Sequence, residues 1–221
     1  MPRRIALVSG MLLLACGGRP PPTPPPPLEG DDESPGEVHI AGIALPRMPV
    51  EVAPDDPELE PGWAATRAAL TMATPTPPAG DEWEVETWAD GALASWMRRR
   101  AEAVAEAQTA LEPARHAEPE YGVVASMLLG LAYSRFALDL HGMPVPRVFE
   151  GDRERTDAFR QAMRDAARPL WLRALDAFGS CARTAAEGPA HSLAHWRERC
   201  DAEIRSVSAM LPDAPDDGDE D

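Results

Sequence analysis

Residues 121–140 read YGVVASMLLGLAYSRFALDL and form the most apolar stretch of the chain beyond residue 16. The run is long enough to span a bilayer, but Arg135 and Asp139 interrupt it, so we predict a buried core helix. Gly142 and Pro144 follow and should end this helix. The stretch therefore places the chain in the all-α class.

Helical periodicity continues on both sides of this core helix. A long amphipathic helix is predicted from about residue 81, with Asp81 as its cap and Pro113 near its end. Another helix starts near Asp152, and Pro169 within it either kinks the helix or begins a new one. A last helix opens at Ser192. We expect one α-helical domain over residues 81–212, whose first inward stripe comprises Trp88, Ala92, Trp96, Arg100, Ala103, Ala107 and Leu111.

Residues 37–80 are rich in proline and carry a short β-branched run, Val38–Leu45. One short strand cannot make a sheet, so we expect it to lie extended across the helices or to pair weakly near Val50 and Val52. Pro61 and the prolines from residue 75 bracket a short helix predicted over Trp63–Met72.

The N-terminus carries a different kind of signal. Residues 13–17 read LLACG and close an apolar run that follows Arg3 and Arg4. This pattern resembles a bacterial lipobox. The resemblance implies that residues 1–15 are a signal peptide and that the Cys16 thiol carries a diacylglyceryl anchor in the bacterial cell envelope. An ordinary cleaved signal followed by a chance cysteine is the alternative reading.

The residue after Cys16 bears on which membrane the lipoprotein is attached to. In enterobacterial lipoproteins an aspartate at this place retains the protein at the inner membrane, and here the residue is Gly17. The resemblance therefore implies attachment to the outer membrane, facing the periplasm.

Low-complexity segments flank the predicted folded part. Residues 16–36 include the proline run RPPPTPPPPLEGDDESP, which favours extended polyproline II and predicts a semi-rigid tether. A ligand for a proline-binding module is the alternative. Residues 213–221 form an acidic tail that we predict to be disordered.

The charge of the chain limits its partners. The formal net charge is −16, so phosphate backbones and anionic lipids would be repelled. We therefore expect no nucleic acid partner, and attachment to a membrane only through the N-terminal lipid.

Cys181 and Cys200 fall on the apolar stripes of the last two helices. The predicted turn, residues 187–191, lies nearly midway between them, so an antiparallel hairpin would bring them face to face. Export favours a disulfide there. Two free core cysteines are the alternative.

The same region resembles one unit of a known repeat family. Leu129-Gly130-x-x-Tyr133 is similar to the first helix of a tetratricopeptide repeat, and Ala174-x-x-x-Phe178 to the second. The resemblance implies tetratricopeptide-like packing over residues 118–211 and a role in protein binding. The two halves are more than thirty residues further apart than in that family, no second copy follows, and an unrelated helical bundle is the alternative.

We find no pattern that predicts catalysis. His191 and His195 have the spacing of a zinc pair but lack an evident third ligand, so we expect a surface pair and no metal. Neither a GxSxG elbow nor a phosphate-binding glycine loop occurs. The chain is predicted to be non-enzymatic and to need no cofactor.

A possible binding surface combines Trp88 and Trp96 with the basic run Arg98, Arg99 and Arg100. The run is also typical of a solvated helix face with i,i+4 pairs. Most tryptophans are expected in the core; the set on or near the stripes is Trp83, Trp88, Trp96, Trp171 and Trp196. Any that is exposed would mark an interface or a ligand groove.

Together these features predict an envelope lipoprotein whose helical domain is a protein-binding scaffold or adaptor. The alternative is a lipoprotein that binds a small molecule and delivers it to a transporter. A closed apolar cavity above about 300 Å³ would favour the ligand binder, and a shallow concave helical surface would favour the adaptor.

Overall fold

The computed structural model describes residues 38–188 and 190–211, without the side chains of 190–192. The predicted signal peptide, Cys16, the tether and the acidic tail lie outside this part of the chain. The predicted all-α class is confirmed. The elements are β1 (Val38–Ile40), β2 (Ile43–Leu45), α1 (Glu60–Thr71), α2 (Glu82–Trp88), α3 (Ala94–Arg115), α4 (Pro119–His141), α5 (Arg153–Glu187) and α6 (Ala190–Ser208).

Helix α4 is the centre of the fold and packs against α1, α3, α5 and α6. Every residue from 122 to 134 is buried. Among the described residues α4 is the one helix long and apolar enough to cross a membrane, and 83% of its most apolar window is buried inside the fold. It is therefore a core helix here, as the charged residues Arg135 and Asp139 predicted.

Aspartates cap the N-termini of α2 and α5. The Asp81 side chain accepts a hydrogen bond of 3.0 Å from the Glu84 amide at the start of α2. Asp152 accepts one of 3.1 Å from the Arg155 amide at the start of α5. Each cap satisfies an amide that has no partner within its helix.

A π-helical turn over Ala89–Leu93 joins α2 to α3. Because of its extra residue, the next buried side chain after Trp88 is Leu93, five positions along the chain, while Ala92 is exposed. The predicted stripe through Ala92 is therefore wrong at this position. The pattern is restored from Trp96 onward.

The run Val38–Leu45 folds back on itself. Val38 pairs with Leu45 and Ile40 with Ile43 in an antiparallel hairpin. The turn residues Ala41 and Gly42 have φ of 51° and 79°, and positive φ at both positions is the requirement of a tight hairpin turn. The expected single strand is therefore wrong, as is pairing near Val50, which is 91% exposed.

Helix α5 is continuous over 35 residues, so Pro169 does not begin a new helix. Its two halves differ in burial. The first part, residues 153–166, contains no fully buried residue, whereas all of the buried residues of α5 lie between Ala167 and Ala185. The first part is thus covered on one side only, where Phe159, Met163 and Ala166 pack against the core.

Helices α5 and α6 form the predicted antiparallel hairpin. Cys181 and Cys200 are both buried, lie at disulfide-bonding distance and have Cα atoms 6.0 Å apart. The loop after β2 joins this hairpin through Arg47, whose carbonyl accepts a hydrogen bond of 3.0 Å from the Trp196 indole.

Candidate binding groove

The predicted surface of Trp88, Trp96 and Arg98–Arg100 does not form. Arg98 and Arg99 are exposed, but Trp96 is buried and packs edge to face on Phe136, with ring centroids 5.5 Å apart. Arg100 is fully buried. Because the helix turns these side chains to opposite sides, they cannot contact one partner together.

Arg100 instead joins α3 to α4. Its guanidinium lies 3.0 Å from an Asp139 carboxylate oxygen and donates a hydrogen bond of 3.0 Å to the Met72 carbonyl. Arg135 contacts the other oxygen of Asp139 at 3.1 Å. Burial lowers the pKa of Arg100 and raises the pKa of Asp139, in each case against the attraction of the opposite charge. Arg100 therefore has a structural role and is not accessible to a partner, whereas the Arg135 side chain is exposed.

Trp83 is an exception to the expectation that most tryptophans lie in the core. It lies on the outer side of α2 and is 70% exposed, whereas Val85 and Trp88 of the same helix are buried. Residue 83 is exposed because it does not lie on the helix face that Val85 and Trp88 turn toward the core. An indole so exposed is typical of an interface.

An open groove lies between α2 with its π-turn on one side and the first part of α5, residues 153–166, on the other. Its volume is about 550 Å³. We call it the α2–α5 groove, and its apolar lining comprises Val85, Trp88, Ala89, Leu93, Phe149, Phe159 and Met163. Of the predicted surface, Trp88 alone lines it.

Helical spacing creates both walls of the groove. Positions 82, 85, 86 and 89 share one face of α2, and positions 155, 159 and 163 share one face of α5. Phe149 enters from the 3₁₀ turn Arg147–Phe149 before α5, and its ring centroid lies 6.4 Å from that of Phe159. Phe149, Phe159 and Met163 are half-buried. Apolar surface is thus left in contact with solvent.

The two walls differ in charge. Residues 81–90 contain no basic residue. They contain five exposed carboxylates, namely Asp81, Glu82, Glu84, Glu86 and Asp90. The α5 wall, residues 152–165, has as many arginines as carboxylates. A salt bridge between Arg155 and Glu82 crosses the groove at one end, and this contact raises the pKa of Arg155. The groove is therefore apolar inside, acidic along α2 and neutral along α5.

A second groove, of about 470 Å³, lies between the middle of α5 and the end of α6. Its lining includes charges of both signs, such as Arg164 and Asp165, and it extends to Leu211, the last residue that the structure describes. The α2–α5 groove is the more apolar of the two.

The sequence offered no metal centre, and within residues 38–188 and 190–211 no group of three or more potential ligands could hold a metal ion. His195 Nε2 lies 3.0 Å from the Arg47 carbonyl oxygen, where it helps to fix the loop after β2. The side chain of His191 is among those not described.

Comparisons with protein family models, curated proteins and solved structures find no match for this chain. The shape, lining and charge of the α2–α5 groove are therefore the basis for assigning a function.

Proposed function

We propose that this chain is a lipid-anchored protein of the bacterial cell envelope whose helical domain binds a protein partner without catalysis. The anchor rests on the residues LLACG at 13–17 and on the proline-rich tether that follows. The binding role rests on one structural observation, the open apolar groove between α2 and α5.

The shape and composition of the groove support a macromolecular partner. It is open to solvent along its length instead of enclosed, and aromatic and methionine side chains line it. These residue types are enriched at protein interfaces and supply much of their binding energy. Trp83 is exposed on the same short helix, although it is not among the residues that line the groove.

The packing of α4 on α5 supports the tetratricopeptide-like part of the proposal. In the described structure Gly130 lies against the Phe178 ring. These two residues match the small and the aromatic position of the tetratricopeptide repeat. In that family, such close packing produces concave helical surfaces that bind peptides. Helix α5 of this pair also forms one wall of the α2–α5 groove.

A small-molecule ligand is the second candidate. The volume of about 550 Å³ lies within the range of ligand pockets, and the lining is largely apolar. Such a protein would deliver its ligand to a transporter. The open form of the groove favours the protein partner, because ligand pockets enclose most of the ligand's surface.

Two measurements test the proposal. Replacing Cys16 by serine should move the protein from the membrane fraction to the soluble periplasmic fraction, and a variant that stays with the membrane would contradict the lipid anchor. A photo-crosslinking residue at position 159 should give discrete protein adducts in intact cells. The same residue at Leu172, an exposed position on the packed half of α5, serves as the control.

A further inference from the structure

We infer that the occupant of the α2–α5 groove is an amphipathic helix of another protein, with apolar anchors along one face and lysine or arginine beside them. This inference rests on the proposed function, since it names the chemistry of the partner at the same site.

The dimensions of the groove suit a short helix. Along α2 and the π-turn the lining runs from Glu82 to Leu93, and along α5 from Arg155 to Met163. At 1.5 Å per residue these walls are about 16 Å and about 12 Å long, which corresponds to two or three helical turns. Apolar side chains at positions i, i+4 and i+7 of a partner would fit this length.

The first part of α5 has an apolar stripe that packs against the core and is only partly covered. Its apolar residues Phe159 and Met163 are half-buried at helical spacing, while the residues on its other faces are exposed. A helix with one apolar stripe becomes stable when that stripe is covered. A partner helix between α5 and α2 would cover the solvent-exposed part of this apolar stripe.

The charges at the rim specify the partner further. Glu82 and Glu86 line the α2 side of the groove, and three more carboxylates are exposed on the same segment, with no basic residue among them. An acidic partner would be repelled by these groups and by the net charge of −16, whereas a basic one would be attracted. Because the α5 wall is neutral, the basic residues of the partner should lie over α2, which fixes the partner's orientation.

The same charges argue against a second copy of the chain in the groove. A second molecule would bring its own net charge of −16 against the acidic wall. Like charges brought together across an interface oppose binding. A heterologous basic helix is thus the occupant that the rim favours.

The experiment uses the full secreted Cys16→Ser protein and a phage-displayed library of random 16-residue peptides. Enriched peptides should combine apolar residues at i, i+4 and i+7 with lysine or arginine. One such peptide is then synthesised together with a copy in which each basic residue is glutamate, and binding is measured by fluorescence anisotropy. The basic peptide should bind at least tenfold more tightly than its acidic copy.

Variants of the protein locate the binding site. Phe159→Asp and Met163→Asp should each weaken binding about tenfold or more, because both place a carboxylate in the apolar lining. Glu86→Arg, which reverses a carboxylate in the groove lining, should weaken binding several-fold and reduce its dependence on salt. Leu172→Asp changes a more exposed apolar residue of α5 outside the groove and should have no effect. Circular dichroism confirms that each variant is folded.

Four results would overturn the inference. They are enrichment of acidic peptides, enrichment without a helical pattern, binding that Phe159→Asp leaves unchanged, and no enrichment at all. If position 159 still crosslinks to a protein, the proposed function stands and the basic helix alone is rejected. If the fluorescent apolar dye 1-N-phenylnaphthylamine binds in a manner sensitive to Phe159→Asp and no peptide is enriched, both are rejected in favour of a small-molecule ligand.

Discussion

Gly130 of α4 lies so close to the aromatic ring of Phe178 in α5 that no side chain fits between them. A Cβ atom built on Gly130 would overlap the ring atoms. The absence of a side chain here lets the two central helices of the fold approach each other.

We therefore predict that Gly130→Ala destabilises the protein by about 1–3 kcal/mol, since overpacking outweighs the better helix propensity of alanine. Urea unfolding measures the effect. Gly91→Ala is the matched control, because a Cβ atom there meets no neighbour within 4 Å, and it should be neutral or slightly stabilising. Equal stability of the two variants would contradict close packing at Gly130.

The cysteine pair gives a second prediction. Cys181 and Cys200 are 19 residues apart, and a bridge closing a loop of this size should contribute about 3 kcal/mol. Urea unfolding with and without reductant should show this difference, which should disappear in the Cys181→Ala, Cys200→Ala variant. Labelling of the denatured Cys16→Ser protein should find no free thiol without reductant, and finding two would exclude the bridge.

The buried ion pair gives a third. Asp139→Asn leaves the fully buried Arg100 without its counter-charge, so we expect a loss of about 3 kcal/mol in unfolding free energy. The double variant Arg100→Met, Asp139→Leu should recover most of that loss, since apolar residues often replace a buried pair at little cost. Arg153→Ala breaks an exposed pair with Asp157 and should change nothing measurable. A double variant no better than Asp139→Asn would be evidence against this account.

Tyr121 gives a prediction on pH. Its hydroxyl donates a hydrogen bond of 2.8 Å to Asp56, and this bond, with smaller contributions from burial and nearby carboxylates, raises the pKa of Tyr121 to about 12. Since the folded pKa exceeds the unfolded value of about 10, the stabilisation is complete below pH 10 and is lost as the pH rises through 12.

Absorbance at 295 nm measures this ionisation. The difference between the titration of the wild type and that of Tyr121→Phe isolates Tyr121, and its midpoint should lie near 12. Asp56→Asn should move the midpoint toward 10. A difference curve centred at 10 in the wild type would show that the hydrogen bond does not form.

The sequence predicted best where one regular pattern decides the structure. The buried helix around residues 122–134 follows from an apolar run, and the register of Cys181 with Cys200 follows from a turn midway between them. In a helix hairpin, equal distances from the turn place two residues at equal height. No tertiary information was needed for either.

The sequence predicted less well where one residue alters the local geometry. The π-turn moves the inward position from Ala92 to Leu93, and no residue type signals such a turn. Similarly, Ala41 occupies a positive φ that favours glycine or asparagine, so the hairpin lacked its usual marker.

The candidate groove was missed for a different reason. Phe149 comes from a connection between helices, whereas Phe159 lies on the apolar stripe of α5. That stripe is apolar along most of α5, but only the part after residue 166 has helices packed fully over it. Periodicity reveals an apolar face and does not reveal whether a neighbour covers it.

The division of α5 at Pro169 has a consequence for how the partner would be held. Proline has no amide hydrogen, so the Asp165 carbonyl lacks its helical hydrogen bond just where burial begins. Amide protons before this point should exchange with deuterium far faster than those behind it, because the leading segment can fray without disturbing the packed one. A partner that binds this segment must also order it, and the entropy lost in ordering reduces the binding free energy. Binding to this segment is therefore expected to be selective but short-lived.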